Sequence, residues 1–569
     1  MANLRCWLLV QLSQGRFQSV AKHSNETPFF SQHKTRLRLS GDIDLPSVDV
    51  LITCCGEDLN VILDTVRAAC LIDYPSTKFR VLVLDDGNSD ALNEAVTQLQ
   101  KEWNNVHYHA RGVRPDQHVF AKAGNLNYAL FEIQGQMDSP PEFFAVFDAD
   151  FIPSPDFLRA TLPHMLLYPN LAVLSTFQRF YNLPYKDPLY QGLDHFNEVV
   201  YTKQSQLGMA EIGGSGFIAR RDPIIKLHGF PSISFLEDIM LSLILHGMGH
   251  QMILNTEMLQ FGLAPTSLEG HVSQRQRWAI GWSQQILALR ESKDNTVPLS
   301  LRWPIASQGF IFILSLLGQC LSFIVVPLAL ASGKTLIPST SLGAFQLQGI
   351  LSVFYVWLSW LHEWFQSSQT GFCISPFSVF EELWMSPGQV YALAQFYFFP
   401  LRSRGSLVTG STENEWNNNM DSSKKRILEL WSNLWLSGVG YTLLCVSSLL
   451  GSMVYAATIS IYRGDSDTNS TSTAEALLTT VAWPSILNIC YLLITWSWPP
   501  LSYVLSRPTY PDRKTTLGPH PIDHRAVYPK GQTIEQIQRP RTGPLGCYKH
   551  FALVPLVLAM LAISILMIS

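Results

Sequence analysis

The sequence predicts two unlike halves: an α/β domain with a mostly parallel sheet over residues 47–300, then an α-helical transmembrane region over 301–569. Three observations point there. In the first half, short apolar runs that end in acidic residues alternate with helical patterns. Hydrophobic residues make up 47% of the 569-residue chain and charged residues only 15%, below the roughly one quarter usual for a soluble domain. In the second half, apolar stretches approach the roughly 20 residues that cross hydrocarbon.

Val48 to Thr53 is an apolar run suited to a buried parallel strand. A helical pattern follows through Val61, Val66 and Ala69. Arg80 to Leu84 reads as a second strand, closed by Asp85-Asp86-Gly87, and Phe143 to Phe147 as a third, ending in Asp148-Ala149-Asp150. Alternating strands and helices imply βαβ units, whose ligands bind beyond the carboxyl ends of the strands. Both acidic clusters fall there. Residues 1–46 are expected to form a poorly ordered N-terminal segment, and Cys6 to Leu12 is too short an apolar run to span a bilayer.

From about residue 303 five apolar segments can be drawn, near 305–331, 343–362, 434–461, 475–497 and 551–568. The aromatic stretch 378–400, interrupted by Pro387, suits an interfacial or re-entrant helix. Basic residues concentrate in the loops 363–432 and 498–550, which the positive-inside rule assigns to the cytosol. Five spans then put the α/β domain in the cytosol and the loop after the third span outside. That loop carries Asn469-Ser470-Thr471, a glycosylation acceptor in an accessible place. Asn25 would lie in the cytosol, unmodified. The net charge of −4 gives no basic field for nucleic acid, and nine scattered cysteines without a CxxC pair give no zinc site.

The acidic pair Asp148 and Asp150 has the spacing to face a hard cation, Mg²⁺ or Mn²⁺, which bridges carboxylates to substrate phosphates. Asp85 is positioned to accept hydrogen bonds from a nucleotide, though Asp-Gly is also ordinary turn chemistry. Lys122 offers a cation to a diphosphate. Glu237 and Asp238 open a helical segment, where an acid either caps the dipole or serves as a general base. In Gln274-Arg275-Gln276-Arg277-Trp278, Arg277 offers a planar fork to phosphate oxygens and Trp278 a flat face for a sugar ring; an amphipathic surface helix fits the same residues.

Taken together, these residues resemble the processive family-2 glycosyltransferases of the cellulose synthase and hyaluronan synthase group. The group's DDG, KAGN, DxD, TED-type and QxxRW motifs are matched in order by Asp85 to Gly87, Lys122 to Asn125, Asp148 to Asp150, Leu236 to Asp238 and Gln274 to Trp278. The resemblance covers about residues 47–300. It implies a GT-A type fold and an inverting transfer from a UDP-sugar, with UDP-glucose the first choice and UDP-N-acetylglucosamine next. It further implies that Asp85 binds uridine and that Asp150 ligates the metal, with Asp148 supporting both metal and nucleotide. By the same analogy, Lys122 and Arg277 steady the diphosphate, Asp238 is the base, and Gln274 and Trp278 position the acceptor.

Glu211 to Gly216 looks like the glycine-bearing segment that lines the acceptor site. Ser406 to Ser411 is similar to the FxVTxK gating loop, with serine at both ends of the motif in place of the aromatic and the lysine. Leu236 stands where the triplet has threonine. No spans precede the catalytic domain, whereas the cellulose synthases it resembles build part of their channel from N-terminal helices. Three readings therefore stand: a polymerising synthase in plasma membrane or Golgi, a single-transfer enzyme acting on a lipid or small metabolite, and a catalytically silent membrane scaffold.

Overall fold

The computed structural model describes residues 36–112, 121–185, 187–290, 297–332, 384–399, 439–464 and 509–538, with scattered positions between them. Its core is a seven-stranded sheet in the order β3-β2-β1-β4-β8-β6-β9. The strands are β1 (Val48–Cys54), β2 (Phe79–Asp85), β3 (Val106–Ala110), β4 (Phe143–Asp148), β6 (Leu171–Thr176), β8 (Phe217–Arg220) and β9 (Gln251–Asn255). β1 is buried at every position, as expected for a strand covered on both faces. β5 (Phe151–Pro153), β10 (Gln260–Gly262) and β7 (Arg179–Phe180) make a smaller three-stranded sheet.

Within the main sheet only β8 runs against its neighbours; it is antiparallel to both β4 and β6. Strands β1, β2, β3 and β4 are mutually parallel. Their register pairs Cys54 with Asp85 on one side and Thr53 with Asp148 on the other. The two acidic strand ends therefore flank the end of β1, about 10 Å apart at the spacing of neighbouring strands. The reversal of β8 has a direct consequence. Its first residue, Phe217, pairs with Val146 near the end of β4, so the loop entering β8, Glu211 to Gly216, arrives at the same edge as the acids.

The helices are α1 (Leu59–Cys70), α2 (Asp90–Leu99), α3 (Ala121–Asn127), α4 (Phe157–Leu167), α5 (Thr202–Gln206), α6 (Arg221–Lys226), α7 (Glu237–Gly247), α8 (Leu268–Gln284), α9 (Leu299–Ala331), α10 (Ser386–Phe398), α11 (Val439–Gly464) and α12 (Gly531–Gln538). α1 and α8 start where side chains satisfy free backbone donors: Asp58 accepts from Asn60 N at 2.8 Å and Ser267 Oγ from Gly270 N at 3.0 Å. α7 has no side-chain cap at Leu236 and carries Glu237 and Asp238 in its first turn instead, where the helix dipole favours them.

Among the described residues one helix is long and apolar enough to cross a membrane, over Leu299–Leu321 within α9, with a mean hydropathy of 1.5. α11 overlaps the second-half segment expected at 434–461. Only scattered helical positions of 343–362 are described, and 475–497, 551–568, Asn469 and Ser406 to Ser411 lie outside the described residues. α10 falls inside the stretch expected to be interfacial, with Pro387 in its first turn. It packs between α8 and α9: Gln276 Nε2 donates to Gly388 O at 3.1 Å, and Ser386 Oγ donates to Gln319 Oε1.

Residues 510–538 fold back onto the α/β domain. Tyr510 is buried, and its hydroxyl lies 3.4 Å from Asp187 Oδ1 and accepts from Gln191 Nε2 at 3.0 Å. Arg513 pairs with Asp64 of α1 at 2.8 Å. Tyr528 donates to Ser154 Oγ at 3.2 Å and meets Phe261 edge to face.

Candidate active site

Asp85 is almost sealed, and its own loop has taken up its oxygens. Oδ1 accepts from Gly87 N at 2.7 Å; Oδ2 accepts from Ser89 N at 2.7 Å and from the Tyr108 hydroxyl at 2.9 Å. A carboxylate has about four acceptor positions, so one remains for an incoming group. Asp86 is engaged too. Arg111 grips it with two parallel bonds of 2.6 and 2.9 Å, the strongest geometry for such a pair. Arg111 is thus committed to a carboxylate.

At the end of β4 the picture changes. Asp148 Oδ1 meets Lys122 Nζ at 2.5 Å and accepts from Thr53 Oγ1 at 3.3 Å. Its backbone N–H donates to Ser215 Oγ at 3.1 Å. Among the described residues Asp150 makes no ion pair. Burial, then the charges of Asp148 and Glu57, push its carboxyl up to about 8, and the charge of Lys122 only partly offsets the rise. Glu57, not singled out from the sequence, sits in the loop after β1, where Cys55 N donates to it at 2.6 Å. An acid three residues past the strand end was the available signal.

Lys122, on α3, is the joint between two acidic groups. Besides Asp148, its Nζ donates to Gly214 O at 2.7 Å and lies 4.0 Å from Glu237 Oε1. Asp238 adds to the charge around it. Burial raises the proton affinity of Glu237, to about 7, and of Asp238; the neighbouring Lys122 works against the rise in both. Gly214 has a φ of +86°, and a Cβ there would stand 3.0 Å from Asp238 Oδ2. Glycine is needed for the backbone angle and for the close approach.

α8 is fixed beside this group by a close contact. A Cβ on Gly281 would fall 2.6 Å from Leu236 Cγ, Ser234 Oγ donates to Gly281 O at 2.9 Å, and Phe235 N donates to Gln284 Oε1 at 2.8 Å. Arg277 lies one turn before Gly281 and so on the same helix face, toward the start of α7. Gln274 lies three residues before Arg277 and Trp278 directly after it, and both are half-buried. Arg275 lies over the Trp278 ring at 4.1 Å, so one face of that ring is covered by a cation.

Among the described residues no group of three or more His, Cys, Asp or Glu side chains is arranged to hold a metal ion. Asp148 and Asp150 are two carboxylates. A hard cation held by two carboxylates fills its remaining positions from phosphate oxygens and water. The raised proton affinity of Asp150, caused by burial and by like charges, marks negative charge that a cation would satisfy. The donor set fits a divalent ion shared with a diphosphate.

Comparison with known proteins agrees with this geometry. The chain matches the family model for glycosyl transferase family 2 over residues 49–227 and that for glycosyl transferase family group 2 over residues 143–358. It is 35% identical to the cellulose synthase catalytic subunit (UDP-forming) of Pseudomonas fluorescens (strain SBW25) over 253 residues, 42% of this chain and 31% of that one. It is 32% identical to putative cellulose synthase 2 of Komagataeibacter xylinus over 315 residues, 52% of this chain and 19% of that one. A third relative, the catalytic subunit of Xanthomonas axonopodis pv. citri (strain 306), is 30% identical over 249 residues, 42% of this chain and 32% of that one. The chain thus spans a third or less of the length of these curated relatives. Among solved structures it shows a loose likeness to a mannosyltransferase of Pyrobaculum calidifontis in complex with GDP-Man and Mn²⁺, with a TM-score of 0.42 and 16% identity over 69% of this chain and 98% of that one. By its sequence motifs and its two family matches, the region spanning residues 49–358 is a family-2 glycosyltransferase domain, similar to those of cellulose synthases.

Proposed function

We propose that the protein is a membrane-bound inverting glycosyltransferase that moves a sugar from a UDP-sugar, first of all UDP-glucose, onto a growing β-linked glycan. One observation carries the reading: Lys122 joins the Asp148 end of β4 to the acid-bearing start of α7 within a single group of side chains. Donor chemistry and acceptor chemistry need such adjacency, because the bond to the diphosphate breaks as the acceptor oxygen attacks.

In this reading Asp85 offers its remaining acceptor position to uridine, and Lys122 and Arg277 face the diphosphate. Asp148 and Asp150 would hold Mg²⁺ or Mn²⁺, which supplies positive charge where the leaving diphosphate gathers negative charge. Asp238 takes the proton of the acceptor hydroxyl as its oxygen bonds to the anomeric carbon and UDP departs. Its raised proton affinity suits a group that must accept a proton near neutral pH. Gln274 and Trp278 hold the acceptor sugar.

The membrane setting draws support from the apolar helix Leu299–Leu321. The docking of residues 510–538 on the α/β domain fits a basic loop on the same, cytosolic side. Glycosylation at Asn469 is part of the same topology. Plasma membrane and Golgi are both compatible with it.

The test is a donor screen on membranes holding the full chain, with Mg²⁺ or Mn²⁺ and release of UDP as the readout. UDP-glucose should release UDP most rapidly; no release from UDP-glucose or UDP-N-acetylglucosamine contradicts the proposal and favours a silent scaffold. Product sizing separates polymerisation, which yields a ladder, from transfer to a lipid or small metabolite, which yields one adduct.

A further inference from the structure

Glu211 is a carboxyl group that the roles above leave unused. It stands in the loop that the reversed strand β8 brings to the acidic edge. The loop is held on several sides. Ile212 N donates to Ser242 Oγ at 2.9 Å, and that hydroxyl donates to Asp238 O at 2.7 Å. Gly213 O accepts from Gln178 Nε2, and Gly214 O accepts from Lys122 Nζ. Glu211 therefore has a fixed place relative to Asp238.

Its side chain is only half committed. Oε1 accepts from Gln204 Nε2 of α5 at 3.0 Å. Among the described residues Oε2 accepts from nothing and no cation pairs with the group. The residue is half-buried, not sealed. A carboxyl partly withdrawn from water without a counter-charge is costly unless something uses it.

We infer that Glu211 is a specificity-determining residue of the acceptor site, where its free carboxyl oxygen binds a hydroxyl of an incoming sugar next to Asp238. The inference rests on the reaction proposed above. Burial, opposed by the bond from Gln204 and reinforced by Asp238, pushes the Glu211 carboxyl up to about 7. A carboxyl in that range serves as hydrogen-bond acceptor when ionised and as donor when protonated. Sugar hydroxyls need both. A purely structural role would be confined to tying α5 to the loop through Gln204, and Glu211→Gln preserves that tie because its amide oxygen accepts the same bond.

The test uses the full chain in detergent, labelled UDP-glucose as donor and cellotetraose as acceptor probe. Glu211→Gln should raise KM for cellotetraose about tenfold, the effect of losing one hydrogen bond to a charged group. KM for UDP-glucose, acceptor-free hydrolysis of UDP-glucose and Tm should not change. Glu211→Ala should share the acceptor defect and lower Tm, since it also drops the bond from Gln204. Unchanged acceptor KM in Glu211→Gln, with a wild type that turns over donor, overturns this inference alone. So does a variant whose Tm, kcat and both KM values worsen together. A wild type that neither hydrolyses UDP-glucose nor extends cellotetraose overturns the parent reaction and this inference with it.

Discussion

The acids at the end of β2 and the acids around α7 are all at least half-buried, yet they are treated differently. Asp85 and Asp86 are met by two backbone N–H groups, a tyrosine hydroxyl and an arginine fork. Glu237 and Asp238 share Lys122, Glu211 has no such cation among the described residues, and the proton affinities of all three are raised. The first group has most of its acceptor positions filled by its own loop and by Arg111, which works against the rise that burial gives Asp86, and builds a shape. The second keeps charge in reserve, which is the condition for proton transfer. Lys122 stands at the border and belongs to both.

Breaking that border should give the largest effect. Lys122→Met removes the ion pair with Asp148 and the bond to Gly214 O. Turnover should fall about 100-fold or more, of the order of losing a preorganised charge in a water-poor site; UDP release at wild-type rate would break the comparison. Gly214→Ala comes next. It forces a side chain into a φ of +86° and against Asp238 Oδ2, a strain of about 1–2 kcal/mol. The expected result is roughly a tenfold lower kcat with UDP affinity intact, measured by initial rates beside calorimetry. Tyr108→Phe sharpens the other side. It removes one of three bonds to Asp85 and should cost about 1 kcal/mol of stability, with KM for UDP-glucose raised a few-fold and kcat spared.

The smallest effect is a pH dependence. The Glu211 carboxyl is pushed from its ordinary value near 4.5 up to about 7. The folded chain then holds a proton that the unfolded chain has lost, so this group's stability contribution is complete below about 4.5 and declines as pH rises toward 7. The Tm of wild type relative to Glu211→Gln should therefore fall between pH 5 and pH 7.5. A constant difference would remove the carboxyl from the buried, charge-rich side.

Much of this was legible in the sequence, for local reasons. Strand-end acids follow from apolar runs that stop at Asp85 and Asp148, and the parallel sheet carries them to one edge. The partition of their roles was not legible. Which donors close on Asp85 depends on Tyr108 from the next strand, and Arg111 sits 25 residues from Asp86, which it neutralises. The i, i+3 spacing of Arg275 and Trp278 was visible, but only the fold turns it into a cation over the ring. The return of residues 510–538 to the domain was least visible of all, because Tyr510 meets Asp187 and Arg513 meets Asp64 across more than 300 residues of chain. The reversed direction of β8, which makes Glu211 a neighbour of Asp238, leaves no periodic mark either.

The most direct test measures UDP binding and turnover together in Asp238→Asn and Asp150→Asn. Asp238→Asn should keep wild-type affinity for UDP in Mn²⁺ and lose turnover by about 10²–10⁴-fold, the range of a missing general base. Asp150→Asn should lose both. Wild-type turnover in Asp238→Asn, or equal loss of UDP binding in the two variants, would contradict a site divided into a nucleotide side and a proton-accepting side.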